Sequence, residues 1–217
     1  MIALVIGSTG STGTELVQQL LKDTAFIEVR SFAQRDLEFS NPKLKQHKVD
    51  FEHPNDWKNL VQGDVAFSCL GSTLKDAGSK KVQWKIDYDY QYNFAKIASE
   101  NGIRHFVLVS AFNANSKSFF FYSKMKGQLE EAIKQLPFKA LTYFKPGLLE
   151  RKNTNRMGEI IGLKIIKSFN SLGLLKKQKP LTTENLAKAM IAMAKREPLG
   201  FTEVLLEKIE PTSKETR

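Results

Sequence analysis

The sequence predicts an α/β fold in which one doubly wound parallel sheet carries helices on both faces. Short apolar runs of strand length alternate with segments of helical periodicity along most of the 217 residues. The first apolar run, 2–6, ends at a glycine-rich turn that leads directly into an amphipathic helix. The composition, 41% hydrophobic and 26% charged, is typical of a chain that fills a core. These observations indicate βαβ crossovers and therefore a parallel sheet.

The apolar pattern assigns the elements in order along the chain. Strands are predicted at 2–6, 27–33, 65–70, 105–110, 140–144 and 203–207, with one more centred on 48–51. Helices are predicted from the glycine-rich turn to Lys22, and at 55–61, 82–100, 122–135, 157–169 and 182–196. In 82–100 the apolar positions recur at three and four, and Gly102 follows where helices commonly end.

The alternation of strands and helices loosens after Pro146, and no flexible linker precedes this part of the chain. We therefore expect a single domain over 1–217. In this interpretation 146–217 form a small C-terminal substrate-side lobe on the doubly wound core.

The glycine-rich turn is the strongest functional motif and reads Gly7-Ser-Thr-Gly10-Ser-Thr-Gly13. Glycines allow a tight turn and a close approach of the backbone to a pyrophosphate, and the N-terminus of the next helix supplies free N–H donors. We therefore predict a dinucleotide site, with a purely structural turn as the alternative. The predicted contacts are Gly7, Thr9, Gly10, Ser11, Thr12 and Gly13.

The end of the second strand bears on the choice between NAD and NADP. An acidic residue there hydrogen-bonds the ribose 2′-hydroxyl of NAD, whereas an arginine accommodates the 2′-phosphate of NADP. Arg35 lies nearer the strand end than Asp36, which favours NADP over NAD. The alternative for Arg35 is a solvent-exposed loop charge.

Two further turns are expected to border the cofactor. Asp50 and Phe51 follow the third strand and are predicted to lie beside the adenine, although core packing is an equal alternative for Phe51. Leu70 and Gly71 end the fourth strand, at the edge where a cofactor crosses an open α/β sheet.

The pattern Tyr-x-x-x-Lys occurs twice and places a phenol and an ammonium on one helical face. The positive charge favours the phenolate, which can then exchange a proton with a carbonyl or alcohol. Tyr92 and Lys96 lie within a helix whose apolar neighbours favour a packing role. Tyr122 and Lys126 begin the helix after the fifth strand, and Ser110 ends that strand. We therefore predict that Ser110, Tyr122 and Lys126 are the catalytic residues.

The net charge of +10 raises nucleic acid as a possible partner. Much of the excess lies between Lys145 and Lys179, where nine basic residues face two acidic ones. That segment contains a single aromatic residue, Phe169, so it lacks the stacking residues of a single-strand groove. A solvated basic face is favoured over an anion-recruiting surface, and no specific nucleic-acid partner is expected.

The residue inventory excludes several other classes of protein. One cysteine, Cys69, cannot form an internal disulfide, and three histidines show no metal-ligand spacing. The first apolar run lacks the features of a secretory signal, and no stretch approaches the length of a membrane-spanning helix. The expectation is a cytoplasmic protein without metal or membrane span.

Several short motifs, in this order and spacing, carry a family resemblance. They are Gly7-x-x-Gly10-x-x-Gly13, Cys69-Leu-Gly-Ser-Thr73, Ile86-Asp-Tyr-Asp-Tyr90, Gly102-x-x-His105-Phe-x-Leu-Val-Ser110, Tyr122-x-x-x-Lys126-Gly127 and Lys145-Pro-Gly-Leu-Leu149. The chain resembles the atypical short-chain dehydrogenases/reductases of the NmrA-like kind, above all the group around the Tat-interacting protein TIP30 and its bacterial oxidoreductase-like relatives. This resemblance implies a Rossmann fold that binds NADP(H), with Tyr122 and Lys126 in the dehydrogenase positions. Members often carry two serines after the fifth strand, whereas this chain has Ser110-Ala111.

Two functions are compatible with these features. The first is an NADP(H)-dependent oxidoreductase acting on a small carbonyl or alcohol of unknown identity. The second is a catalytically weak, redox-sensing or regulatory NADP(H)-binding protein. The run Phe119-Phe-Phe121 cannot all face one core, so it either lines a pocket or subunit contact of a homo-oligomer or packs in a loop.

Overall fold

The computed structural model describes residues 1–147, 149–150 and 181–214. The strands are β1 Ile2–Ile6, β2 Glu28–Ala33, β3 Leu44–Lys48, β4 Val65–Ser68, β5 His105–Val109, β6 Ala140–Lys145, β7 Leu149–Glu150, β8 Leu181–Thr182 and β9 Gly200–Leu205. The α-helices are α1 Ser11–Lys22, α2 Leu74–Ala77, α3 Lys80–Trp84, α4 Tyr90–Glu100, α5 Phe121–Lys134, α6 Thr183–Arg196 and α7 Leu206–Lys214.

Seven strands form one sheet in the order β3-β2-β1-β4-β5-β6-β9, and every pairing in it is parallel. Strands β1 and β4 are neighbours in the middle of the sheet. From β1 the strand order continues through β2 and β3 to one edge, and from β4 it continues through β5, β6 and β9 to the other edge. In open α/β sheets a ligand crevice lies at such a switch point, at the carboxyl ends of the strands. The glycine-rich turn follows β1, so the topology brings it to this crevice.

Helices cover both faces of the sheet, which confirms the predicted doubly wound α/β fold. The buried side chains of strand β1 alternate between two apolar clusters, one on each face of the sheet. Ala3 and Val5 face the cluster that includes α1 and α6, whereas Leu4 and Ile6 face the cluster that includes α4 and α5. A strand buried on both faces reads as a continuous apolar run.

Some predicted elements differ from the observed ones. The third strand is β3, which lies before the predicted 48–51, because the apolar residues Val49 and Phe51 pack in the core after the strand has ended. The predicted helix 55–61 forms two short 3₁₀ turns. The predicted helix 82–100 is divided into α3, a π-helical segment at Lys85–Asp89, and α4.

The C-terminal elements join the main sheet. Strand β9 extends the sheet beside β6 and begins before the predicted 203–207, and α6 packs against α1. Helix α7 was not expected from the sequence, since Pro211 lies inside it. The predicted helix 157–169 lies outside the described residues. Among those that are described, no helix is long and apolar enough to cross a bilayer.

Candidate functional site

The glycine-rich turn packs so closely that two of its glycines are required by the fold. Gly7 has φ +71°, and a Cβ on it would lie 2.5 Å from the backbone nitrogen of Leu70. A Cβ on Gly13 would lie 2.1 Å from the carbonyl oxygen of Gly7. Both distances are far below van der Waals contact, so side chains at these positions would force the turn away from β4 and α1.

Gly10 is different, because the fold itself does not require a glycine at this position. An added Cβ would meet only the carbonyl oxygen of Gly7, at 3.3 Å, and φ is −82°. Gly10 is the N-cap of α1, where no side chain accepts a hydrogen bond from the helix and no acidic residue stands in the first turn. The first N–H groups of α1 therefore have no capping side chain and lie at the positive end of the helix dipole, which suits a phosphate. Ser11 is exposed there, and Thr9 is half-buried.

Two hydroxyl contacts, the first of them buried, hold this turn in place. The Ser8 hydroxyl lies 2.6 Å from the Ser31 hydroxyl of β2, and the Thr14 hydroxyl donates to the carbonyl oxygen of Ser8 at 2.9 Å. Thr12 is also buried. The residues predicted for cofactor binding at 7–13 thus lie together at the carboxyl end of β1.

Arg35 and Asp36 lie just after β2, and both are exposed. No hydrogen bond or ion pair holds either side chain within the described part of the chain. Arg35 is therefore available to a 2′-phosphate, as the NADP prediction requires, while its exposure is equally that of a loop charge.

Asp50 and Phe51 have different surroundings. Phe51 is buried and stacks on the Tyr90 ring with centroids 5.2 Å apart, so it packs in the core. The Asp50 carboxylate is exposed and accepts hydrogen bonds from the Glu52 backbone N–H at 2.9 Å and from His53 at 2.8 Å. These two bonds lower the pKa of Asp50. Asp50 thus shapes the turn after β3.

The loop after β4 brings Leu70 and Gly71 to the crevice. Leu70 is half-buried and Gly71 is exposed. The next residue, Ser72, donates its backbone N–H (2.9 Å) and its hydroxyl (2.5 Å) to Oδ2 of Asp87. A Cβ on Gly71 would lie 3.7 Å from the other oxygen, Oδ1, so the Asp87 carboxyl lies directly beneath this loop.

Lys126 is a buried cation at the centre of the site. It is 1% exposed, and its ammonium donates a long hydrogen bond, 3.4 Å, to the carbonyl oxygen of Val109 at the end of β5. Burial lowers the pKa of Lys126, and the negative charges of Asp87 and Glu130 oppose that shift. The charge is therefore held in a setting of low polarity, where it acts strongly on a neighbouring group.

Ser110 follows β5 directly and is almost completely buried. Its hydroxyl donates to the carboxylate of Glu130, and the same carboxylate lies 3.0 Å from the Lys145 ammonium. Burial raises the pKa of Glu130, whereas the bonds from Ser110 and Lys145 oppose this. Lys145 also pairs with Glu203 of β9 at 2.7 Å. A substrate oxygen at this place would compete with Glu130 for the Ser110 hydroxyl.

The two Tyr-x-x-x-Lys matches have different environments. Tyr122 is 39% exposed in the first turn of α5, one turn before the buried Lys126. Tyr92 is half-buried and stacks on Tyr88, which stacks on Trp84. Tyr122 therefore combines an accessible phenol with a buried cation on its own helix, as proton transfer to a substrate requires.

The three phenylalanines before Tyr122 do not share one environment. Phe119 and Phe120 are fully and 78% exposed, respectively. Phe121 packs against Trp84, with centroids 6.3 Å apart, and the Lys80 ammonium lies 5.5 Å from its ring. Among the described residues, Phe121 alone of the three contacts another aromatic ring, that of Trp84.

Sequence reasoning missed Asp87 and Glu130 as members of the site. Asp87 stands within Ile86-Asp-Tyr-Asp-Tyr90, a motif that contributes only to the family resemblance. A signal was present, since Gln83, Asp87 and Gln91 are spaced four residues apart in the predicted helix 82–100 and share one face of it. Several polar residues on the buried face of a helix indicate specific polar partners.

Other candidate chemistry is absent from the described residues. No group of three or more histidine, cysteine or acidic side chains there could hold a metal ion. Burial raises the pKa of the Cys69 thiol to about 12, so this cysteine is a poor nucleophile. Most of the basic run between Lys145 and Lys179 lies outside the described residues, so its role stays a prediction.

Comparison with known proteins identifies the family of the chain. Residues 7–196 match a family model described as NAD(P)H-binding. The chain belongs to this NAD(P)H-binding family. Because the matched region begins at Gly7 and extends through Lys126, it includes the glycine-rich turn and the Tyr122 helix.

Two curated relatives and one solved structure illustrate the similarity. The chain is 31% identical to "Protein FMP52, mitochondrial" of Candida albicans over 90% of this chain and 89% of the relative. It is 34% identical to "Protein HTATIP2" of Rattus norvegicus over 76% of this chain and 70% of the relative. MoeE5, solved in complex with UDP-glucose and NAD, superimposes with a TM-score of 0.72 over 95% of this chain and 76% of MoeE5, at 12% identity. The resemblance to the TIP30 group is thus confirmed, and the structural likeness supports the Rossmann-like fold.

The same comparisons correct the cellular location expected from the sequence. Several fungal relatives, including those of Candida albicans and Meyerozyma guilliermondii, are named mitochondrial FMP52 proteins, which contradicts the cytoplasmic expectation. That expectation used the lack of a secretory signal and of a membrane span, together with a single cysteine. None of these features separates the cytoplasm from a mitochondrion, so the inference was wrong.

Proposed function

We propose that the protein is an NADP(H)-dependent oxidoreductase that acts on a small carbonyl or alcohol. The observation that carries the proposal is the accessible Tyr122 phenol one helical turn before the buried Lys126, at the same sheet edge as the open N-terminus of α1. Tyr122 and Lys126 suit proton transfer, and the N-terminus of α1 suits a dinucleotide pyrophosphate.

In this proposal the turn at 7–13 holds the pyrophosphate, and Leu70, Gly71 and the Asp50 turn border the remainder of the cofactor. When bound, the nicotinamide supplies or accepts the hydride. Tyr122 donates the proton to the carbonyl oxygen in reduction and removes it in oxidation. Lys126 favours the phenolate by its charge and contacts the nicotinamide ribose.

Ser110 is proposed to orient the substrate oxygen, with Glu130 holding the serine hydroxyl in place before substrate binds. This contact also favours the second candidate function. A serine whose hydroxyl is committed to a buried carboxylate is a weaker donor to substrate. A catalytically weak, regulatory NADP(H)-binding protein is therefore the alternative.

The two candidate functions are separated by turnover. A panel of small aldehydes and ketones, followed by NADPH absorbance with the whole protein, should show oxidation of NADPH by at least one compound. Binding of NADPH without turnover of any compound in either direction would instead support the regulatory function.

We predict that Arg35→Ala removes the preference for NADPH over NADH. The guanidinium pairs with the 2′-phosphate in the proposed complex, and a hydrogen bond between charged groups contributes about 1.5–3 kcal/mol. NADPH affinity should therefore fall by about tenfold or more, with NADH affinity unchanged, as measured by titration calorimetry. Asp36→Ala is the matched control and should leave the preference intact. A wild-type protein that binds both nucleotides equally would contradict the assignment of NADP.

A further inference from the structure

A groove of about 410 Å³ lies between helix α3 and the start of helix α5. This volume is within the range of small-molecule sites. Phe121 in its lining directly precedes Tyr122, yet none of the residues predicted for cofactor binding or catalysis lines the groove. The α3–α5 groove is thus a separate feature next to the candidate active site. Its lining residues are Lys80, Lys81, Trp84, Lys85, Asp89 and Phe121.

Two aromatic rings form the apolar part of the groove. The rings of Trp84 and Phe121 have centroids 6.3 Å apart, and both residues are half-buried, so part of each ring is accessible. Tyr88 stacks on Trp84 with centroids 4.9 Å apart and 24° between the ring planes. Tyr88 therefore covers one face of the indole and supports its orientation. Accessible aromatic surfaces suit a flat ring, which gains from stacking in addition to burial.

The charged residues of the groove leave a positive excess, since three lysines face one aspartate. Lys85 is already neutralised, because its ammonium lies 3.0 Å from the Glu52 carboxylate. Lys80 and Lys81 are exposed, and neither forms an ion pair with an acidic side chain in the part of the chain that the structure describes. The Lys80 ammonium lies instead 5.5 Å from the centre of the Phe121 ring. Two ammonium groups thus border the groove without a paired carboxylate.

We propose that the α3–α5 groove binds a small aromatic carboxylate. An inorganic anion would use the two lysines and leave the rings bare, and a neutral apolar compound would do the reverse. An aromatic carboxylate uses both parts of the groove at once, because its ring packs on Trp84 and Phe121 while its carboxylate lies against Lys80 and Lys81. This site goes beyond the proposed oxidoreductase, whose reaction does not require it.

The experiment uses Trp84 as an intrinsic reporter of the groove. The chain has two tryptophans, and the other one, Trp57, is 3% exposed within the core. Benzoate added to the whole protein, without cofactor or substrate, should therefore change the fluorescence emission of Trp84 alone. We expect saturable binding with a Kd of about 1 mM or tighter, as for a small ligand on an accessible surface. Trp84→Phe keeps an aromatic ring and should remove the change in emission.

Two analogues of benzoate separate the contributions of charge and ring. Benzamide has nearly the shape of benzoate but no charge, and cyclohexanecarboxylate has the charge but no flat ring. Each should bind at least about fivefold more weakly than benzoate, because each loses one of the two kinds of contact. Added salt should weaken the binding of benzoate and leave that of benzamide unchanged.

Lysine variants test where the carboxylate lies. Replacing Lys80 and Lys81 together by glutamine should weaken benzoate binding by about fivefold or more and leave benzamide binding unchanged. The matched control replaces Lys75 and Lys139 together by glutamine. Both residues are exposed and lie outside the groove, so this change removes the same charge and should leave benzoate affinity intact. Thermal unfolding verifies that both proteins are folded.

Several outcomes would overturn the proposal. They are the lack of a saturable change in Trp84 emission, equal binding of benzoate and benzamide, and equal losses of affinity in the two double variants. Vesicles of anionic phospholipid that change Trp84 emission where benzoate does not would assign the groove to a membrane surface instead. A change in emission that depends on protein concentration alone would assign it to a second copy of the chain.

The measurement is independent of turnover. Benzoate binding at the groove of a protein that turns over no carbonyl or alcohol would support this inference and contradict the oxidoreductase. Turnover that depends on Tyr122, together with no binding of benzoate at the groove, would support the oxidoreductase and contradict the aromatic carboxylate site.

Discussion

Gly10→Val is expected to abolish the binding of both NADPH and NADH while the protein stays folded. Gly10 has a backbone conformation open to any residue, and a Cβ there meets only one protein atom, at 3.3 Å. The valine side chain would instead project into the space in front of α1, where the pyrophosphate is proposed to lie. Several charge-assisted hydrogen bonds from backbone N–H groups would be lost, each worth about 1.5–3 kcal/mol. Affinity should therefore fall by at least about 100-fold.

Titration calorimetry with each nucleotide measures this loss, and thermal unfolding verifies the fold. Gly13→Val is the contrasting variant, because its Cβ would lie 2.1 Å from the Gly7 carbonyl oxygen. The backbone must move to accept it, so we expect the free energy of unfolding to fall by about 3 kcal/mol or more. Unchanged nucleotide affinity in a folded Gly10→Val protein would contradict the proposed pyrophosphate site.

The core strands could be predicted from the sequence because burial on both faces leaves a continuous apolar run. Strand β1 and most of β4 and β5 show this pattern, and β6 is equally buried although it contains Thr142. The edge strand β3 reads Leu-Lys-Gln-His-Lys and has no such run. The strand was therefore predicted at 48–51, around the apolar residues Val49 and Phe51 that follow β3. Helix α7 was missed for a related reason, since Pro211 normally ends a helix.

The local parts of the candidate site were equally accessible to sequence reasoning. The turn at 7–13 and the pair Tyr122 and Lys126 are short motifs whose residues are neighbours in the chain. Asp87 and Glu130 were missed because their importance comes from contacts made by the folded chain. Asp87 of the π-helical segment accepts hydrogen bonds from Ser72 in the loop after β4. Glu130 of α5 contacts Ser110 after β5 and Lys145 at the end of β6. No pattern in the sequence specifies these pairings.

Tyr122→Phe is expected to reduce kcat by about 100-fold or more with little change in NADPH affinity. The substitution removes the phenol oxygen, which is the proposed proton donor, and losing a general acid typically costs a factor of about 10²–10⁴. The ring remains in place at the start of α5, so the cofactor contacts are retained. The measurement combines steady-state rates on a carbonyl found in the substrate panel with nucleotide titration on the same protein.

Two further variants make this result specific to the proposed mechanism. Tyr92→Phe alters the other Tyr-x-x-x-Lys match, whose phenol belongs to a stack with Tyr88, and it should leave turnover nearly intact. Lys126→Met should lower both kcat and NADPH affinity, because Lys126 is proposed to favour the phenolate and to contact the ribose. Turnover that is indifferent to Tyr122→Phe would show that the proton comes from another group. The dehydrogenase mechanism would then be wrong, even though the fold and the family would stand.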